Sequence, residues 1–255
     1  MTGRLAQEHV FVTGGAQGIG AAIVEKCLNE GAKVSFIDLD TAKAEAHVKA
    51  LGAADRLFWT RGDVRVADDI AKAHAGAKAR FGAVTGLVNN AGRNSYADPV
   101  QMTEAQWDDV FAVDLKSAWL CARAMLPDML AARKGSIVNI ASIHADMTYP
   151  GMFPYAAAKS GLVGMTRSLA LEVGPQQIRV NALSPGYTET PLLKEWFGMQ
   201  PPEKQREVLG VHAMGRMAKP MEIANCVAFL LSDEASFVTG ANWRVDGGMG
   251  ARFAG

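Results

Sequence analysis

Short apolar runs rich in valine and isoleucine recur along the chain, separated by segments long enough to carry a helix. They are His9-Val-Phe-Val-Thr13, Lys33-Val-Ser-Phe-Ile37, Leu57-Phe-Trp-Thr60, Gly86-Leu-Val88, Ser136-Ile-Val-Asn-Ile-Ala141, Ile178-Arg-Val-Asn-Ala-Leu183 and Trp243-Arg-Val245. Most lack the apolar/polar alternation of a half-exposed strand, so they are expected to be buried on both faces. That pattern predicts an α/β fold: a single Rossmann-like, doubly wound parallel sheet with helices on both faces. Helices are expected from the glycine-rich turn to near Gly31, over roughly Thr103 to Ala132, from near Pro154, and over Pro220 to Leu231. Ser184 to Pro202, with four prolines and no helical period, is expected to be a long binding loop or lid.

Composition narrows the function classes. The 255 residues carry 26 Lys+Arg against 26 Asp+Glu and are 49% hydrophobic, enough for a large core without a disulfide or metal staple. A net charge of zero and no Lys/Arg run offer nothing to nucleic acid or an anionic membrane surface. The odd set of Cys27, Cys121 and Cys226 lies in apolar, helical segments and is expected to be buried free thiols of a reducing compartment. The N-terminus lacks a signal core and no window approaches ~20 consecutive apolar residues, so a cytoplasmic protein is expected. Residues 1–255 are read as one domain, a cofactor half over roughly 1–140 and a catalytic and substrate half over roughly 141–255.

In a doubly wound sheet, ligands gather at the carboxyl ends of the strands, and the chemistry-bearing residues stand there. Gly14, Gly18 and Gly20 follow the first strand and open a helix, a spacing that keeps side chains away from a pyrophosphate and aims a helix N-terminus at it. Asp38 ends the second strand, where a carboxylate accepts from both hydroxyls of an adenosine ribose and repels a 2′-phosphate. Neither Gln17 nor Leu39 supplies a cation for such a phosphate, which favours NAD over NADP. Asp63, with the backbone of Val64, is placed to meet an adenine, and Asp38 and Asp63 also have plain readings as a helix cap and a turn residue. Tyr155 and Lys159, four apart on one helix face, form an acid/base candidate, because an adjacent ammonium and an oxidised nicotinamide favour the phenolate. Ser142, ending the preceding strand, is placed to donate to the substrate oxygen.

Taken together these residues resemble the short-chain dehydrogenase/reductase family over essentially the whole chain. Thr13-Gly14-Gly15-Ala16-Gln17-Gly18-Ile19-Gly20 resembles its cofactor motif, and Asn89-Asn90-Ala91-Gly92 its sheet-stabilising and cofactor-contacting motif. Ser142, Tyr155 and Lys159 resemble its catalytic residues, Pro185-Gly186 with Thr188 and Thr190 its nicotinamide-contacting loop, and Val245-Asp246-Gly247-Gly248 its closing motif. The resemblance implies a Rossmann-like homotetramer in which Tyr155 is the acid/base, Lys159 binds the nicotinamide ribose and favours the tyrosinate, and Ser142 positions substrate while hydride moves to or from the nicotinamide.

One position departs from the pattern. Asp114 stands where the family usually has an asparagine completing a proton relay to Lys159. Activity is expected to survive, with Asp114→Asn changing the pH profile modestly. The resemblance also implies that the pocket is built from the segments after Gly92, Ser142 and Pro185, which carry Asn94, Ser95, His144, Tyr149, Met152, Tyr187 and Trp196. Their convergent donors and acceptors suggest a sugar or sugar acid. The alternatives are a 3-oxoacyl-carrier reductase, or a reductase of another apolar ketone, and more remotely a non-catalytic dinucleotide sensor, which would be expected to lack Tyr155 or Lys159.

Overall fold

The computed structural model describes residues 3–94 and 96–251. The first half runs β1 (His9–Thr13), α1 (Gly18–Asn29), β2 (Lys33–Asp38), α2 (Thr41–Leu51), β3 (Leu57–Arg61), α3 (Ala67–Phe81), β4 (Gly86–Asn89) and α4 (Glu104–Phe111). After a wide π turn, Ala112–Lys116, come α5 (Ser117–Ala132), β5 (Gly135–Ile140), α6 (Tyr155–Val173), β6 (Ile178–Pro185), α7 (Pro191–Gly198), α8 (Pro202–Gly210), α9 (Pro220–Leu231) and β7 (Asn242–Val245).

All the pairings are parallel, in the order β3-β2-β1-β4-β5-β6-β7. Every residue of β1, β4 and β5 is buried, as their unbroken apolar runs require of strands covered on both sides. One face packs Val12, Phe36 and Val138 against α1 and α9 through Ile23, Val24, Val227 and Leu230. The other packs Phe11, Leu87, Ile137 and Val180 against α3 and α5 through Ile70, Ala73, Met125 and Met129. The core also holds a polar thread: Asn89 Nδ2 donates to Asn139 Oδ1 at 2.8 Å, and Asn139 Nδ2 to Thr166 Oγ1 at 2.9 Å. It ties β4 and β5 to α6, the sheet-stabilising part implied for Asn89.

The chain leaves β1 to one side for β2 and to the other for β4, so a crevice opens at their carboxyl ends. That is where the glycine turn and the Asn89–Gly92 segment meet.

Three sequence expectations need correction. The stretch from Ser184 to Pro202 is not an irregular loop: it contains α7 and the start of α8. Pro191 and Pro202 occupy the first turn of these helices, where a missing N–H has no partner to lose, so prolines read as breakers are helix starts. The helix over Thr103 to Ala132 is interrupted by the π turn, which places Asp114 on the inside. Pro154 is the N-cap of α6, just before its first turn.

Cys27 and Cys121 are buried free thiols, pushed by burial to about 12, while Cys226 is half-buried. No helix among the described residues is long and apolar enough to cross a membrane.

Candidate active site

A cleft of about 820 Å³ runs along the carboxyl edge of the sheet. Its floor is the glycine turn. Gly14 and Gly18 adopt φ of 68° and 60°, the left-handed region open to glycine. The turn is fixed to the neighbouring strand end: Asn90 Nδ2 donates to Thr13 O and Gly14 O, each at 3.0 Å, and Thr13 Oγ1 accepts from Asn90 N at 3.0 Å and Ala91 N at 2.9 Å. A Cβ on Gly14 would lie 3.1 Å from Ala91 Cα, so bare backbone lines this part of the cleft. Gln17 is the N-cap of α1 without a side-chain cap bond, so the first turn keeps free N–H groups for an anion.

Asp38 is not the cap of the following helix. That task falls to Asp40, whose carboxylate accepts from Lys43 N at 3.0 Å. Asp38 instead turns toward the glycine turn, accepting from Ala16 N at 2.9 Å through one oxygen and from Asp40 N at 3.0 Å through the other. Asp63 is engaged more heavily: Arg65 donates to both its oxygens, from Nε at 3.1 and 2.9 Å and from Nη2 at 2.6 Å. Arg65 also reaches Asp109 at 2.6 Å, and Arg93 closes the chain by pairing with the same Asp109. Both arginines line the cleft, and neither stood out in the sequence.

The reacting end is set by α6. Tyr155 is its first residue and Lys159 lies one turn on, with Nζ 5.6 Å from the Tyr155 ring centroid. Lys159 Nζ donates to Ile140 O at 3.1 Å and stands 3.3 Å from Asp114 Oδ1. An ammonium has three donors, so one is left for a ribose hydroxyl. Ser142 caps the short 3₁₀ turn Ile143–Ala145, its Oγ accepting from His144 N at 3.2 Å, which leaves its hydroxyl proton to point at a substrate oxygen.

Gly92 makes room for this arrangement, because a Cβ there would fall 2.7 Å from Asp114 Oδ1 and 3.2 Å from Lys159 Nζ. Burial pushes the Asp114 carboxyl above its ordinary value, opposed by the adjacent Lys159 charge. Its Oδ1 also accepts from Arg93 N at 3.2 Å, while Oδ2 is buried without a partner.

The expected cofactor residues Gly14, Gln17, Gly18, Ile19, Gly20, Asp38, Asp63, Val64, Asn90, Ala91, Gly92, Pro185, Gly186, Thr188 and Thr190 all line the cleft. So do the pocket candidates Asn94, His144, Tyr149, Met152, Tyr187 and Trp196, whereas Ser95 lies outside the described residues. Sequence reasoning missed Tyr96, Leu192, Leu193 and Met249. Met249 arrives through the closing motif, where Asp246 accepts from Gly248 N at 3.0 Å and Gly250 N at 2.8 Å and curls the chain back over the site. That motif was the signal for it.

Three of the pocket's polar groups each give one bond to a neighbour. Tyr149 and Tyr187 join hydroxyls at 2.7 Å, and His144 Nδ1 pairs with Thr148 Oγ1 at 3.1 Å. The His144 ring stands edge-on to both Tyr149 and Tyr155, centroids 5.0 and 6.0 Å away, and burial holds its imidazole below its ordinary value.

A dinucleotide-shaped crevice at a sheet switch point, with a Ser, Tyr and Lys at its far end, defines a nicotinamide-dependent oxidoreductase of the Rossmann class. Comparisons make this specific. A family model described as enoyl-(acyl carrier protein) reductase matches residues 14–250. The chain is 41% identical over 256 residues to 2-(S)-hydroxypropyl-CoM dehydrogenase 3 of Xanthobacter autotrophicus, covering 98% of this chain and all of that one. It is 38% identical over 247 residues to cis-4-hydroxycyclohexanecarboxylate dehydrogenase of Sinomonas cyclohexanicum, covering 96% and 98%. The crystal structure of levodione reductase superposes with a TM-score of 0.92 at 33% identity, covering 98% of this chain and all of that one. The protein belongs to the short-chain dehydrogenase/reductase family, acts on CH–OH groups and their carbonyl counterparts, and uses a nicotinamide dinucleotide.

Proposed function

We propose that this enzyme interconverts a neutral, largely apolar secondary alcohol and its ketone with NAD. Asp38 carries the cofactor part of this reading. Its carboxylate is held beside the glycine turn by Ala16 N and Asp40 N, and it would meet a 2′-phosphate there with like charge. Arg65 and Arg93, the cations on that side of the cleft, are already paired with Asp63 and Asp109. Arg61 stands beside Asp38 in the ladder but does not line the cleft. Gly14, Gly18 and Gly20 would hold the pyrophosphate, Asp63 and Val64 the adenine, Asn90, Ala91, Gly92 and Lys159 the nicotinamide side, with Pro185, Gly186, Thr188 and Thr190 closing over it. When bound, the nicotinamide supplies the site that accepts or returns hydride. Tyr155 takes the hydroxyl proton in oxidation and returns it in reduction, Lys159 sets a positive charge beside the phenol, and Ser142 orients the oxygen.

The pocket walls support the substrate reading. A sugar needs several unspent donors and acceptors, and Tyr149, Tyr187 and His144 each give one bond to a neighbour, which reduces what they offer beside Asn94. A sugar acid needs a cation, and Arg65, Arg93 and Lys159, the cations of the cleft, are each paired with a carboxylate. What remains is Tyr96, Met152, Leu192, Leu193, Trp196 and Met249, a wall suited to a ring or short carbon chain. The names of the two relatives, a hydroxypropyl-CoM and a hydroxycyclohexanecarboxylate dehydrogenase, agree with a secondary alcohol.

Initial rates with NAD⁺ and NADP⁺ on cyclic secondary alcohols, short-chain alcohols, polyols and aldoses test the proposal. The expected result is oxidation of the cyclic or short-chain alcohols with NAD⁺, and Asp38→Asn should narrow the NAD/NADP preference about tenfold or more, a loss near 1.4 kcal/mol. Turnover confined to aldoses, or an unchanged preference in Asp38→Asn, would overturn the corresponding half of the reading.

We further infer that the chain works as one domain assembled into a homotetramer. Trp119 and Leu130 on α5 and Leu171 on α6 are exposed large apolar side chains, which supports their burial between copies. A monomeric mass by sedimentation would refute it.

A further inference from the structure

We propose that Asp114 is a positioning residue that offsets the charge of Lys159 and thereby sets the pH at which this site takes a proton from an alcohol. The inference rests on the oxidoreductase reading above and concerns what is particular to this chain, a carboxylate where a neutral side chain would serve.

The geometry is direct. The π turn points Asp114 into the protein, its side chain fully buried, with Oδ1 3.3 Å from the ammonium of a lysine side chain only 5% exposed. Two charged residues face it: Lys159 comes from α6, with the Tyr155 ring 5.6 Å beyond its Nζ, and Arg93 comes from the segment after β4. Arg93 donates its backbone N–H, while its guanidinium is spent on Asp109. Among the described residues the Arg93 charge adds a smaller pull than Lys159, and the buried Oδ2 has no donor. A partnerless carboxylate oxygen is costly, and the Lys159 charge is what compensates it.

The consequence is electrostatic. An isolated ammonium 5.6 Å from the Tyr155 ring attracts the negative charge that proton loss leaves on the phenol oxygen. With a carboxylate against the same ammonium, Tyr155 faces a dipole and feels a weaker pull. Removing the negative charge restores the full pull, so proton abstraction sets in at lower pH, by roughly one pH unit at an effective dielectric near 20. In the other direction, as pH falls through the raised Asp114 value, the carboxyl takes a proton and the dipole is lost. The wild type therefore carries an additional ionisation that a neutral side chain lacks.

The test compares wild type with Asp114→Asn and with Asp114→Ser, which keeps an acceptor for Arg93 N should the first variant fold poorly. Two readouts are taken: the pH profile of kcat for alcohol oxidation, and tyrosinate absorbance of the protein without cofactor, with the Tyr155→Phe signal subtracted. Burial pushes Tyr96 to about 12 and raises Tyr149 further, which keeps them out of the window. The expected result is an acid limb and an absorbance step that both move down by about one pH unit in the variants. A lowered kcat with both midpoints unmoved, or a shift upward, overturns the proposal and leaves Asp114 a packing role. An absorbance step that shifts in a protein with no turnover on any secondary alcohol would sustain the charge offset while refuting the proposed substrate.

Discussion

Tyr155→Phe is expected to lower kcat for alcohol oxidation by about a thousandfold, near 4 kcal/mol of transition-state stabilisation, while NAD binding stays within about twofold. The size follows from what the substitution removes. The Tyr155 hydroxyl makes no hydrogen bond to any described residue, so its loss orphans no buried partner. The ring itself is retained, together with its edge-on contact to His144 and its approach to Lys159 at 5.6 Å. Melting temperature should therefore stay within about two degrees of wild type, and isothermal titration should return an unchanged NAD affinity. Rates are then read at saturating substrate, so that the loss is assigned to the proton-transfer step. A variant that keeps more than about a tenth of wild-type turnover would show that another group takes the proton, Ser142 and His144 being the neighbours to try next. The same variant separates the enzyme from a dinucleotide sensor, because a sensor keeps its output when the phenol is gone.

Much of this site is legible in the sequence. The β-branched runs specify strands buried on both faces, and parallel strands put their carboxyl ends on one edge, so Gly14, Asp38, Asn90, Ser142 and Pro185 had to converge there. The glycine spacing and the four-residue step from Tyr155 to Lys159 are local signals, and local signals survive folding. What stayed illegible depends on contacts between distant segments. Arg93 and Arg65 meet through Asp109, a residue of α4 that carries no motif. The Tyr149–Tyr187 hydroxyl pair joins segments 38 residues apart and turns two apparent substrate donors into each other's partners. The π turn adds a residue to one helical turn without disturbing the apolar pattern around it, so sequence alone placed Asp114 near Lys159 by resemblance and could not show it buried. The prolines of α7 and α8 misled for a related reason: proline ends one helix and begins another equally well, and only the residues after it decide.

Gly20→Ala should abolish cofactor binding to the limit of titration, at least a hundredfold, and destabilise the fold by about 3 kcal/mol. The cause is steric, since Gly20 needs no left-handed backbone. A Cβ there would lie 1.9 Å from Gly14 O and 2.5 Å from Asn90 Nδ2. Neither atom is free to give way: Gly14 O accepts from Asn90 Nδ2 at 3.0 Å, and Gly14 N is tied to Ile37 O at 2.8 Å. The first turn of α1 must then move away from β1, which opens the cradle and swings its free N–H groups off the pyrophosphate position. Gly52→Ala is the control, a left-handed glycine at φ 62° with no atom within 4 Å of the added methyl. It should cost about 1 kcal/mol for its backbone and leave NAD affinity unchanged. Denaturant unfolding and NAD titration of both variants separate the two effects. If Gly20→Ala binds NAD as wild type does, the close approach of α1 to the glycine turn is not what builds the cofactor site, and the role assigned to Gly14, Gly18 and Gly20 falls with it.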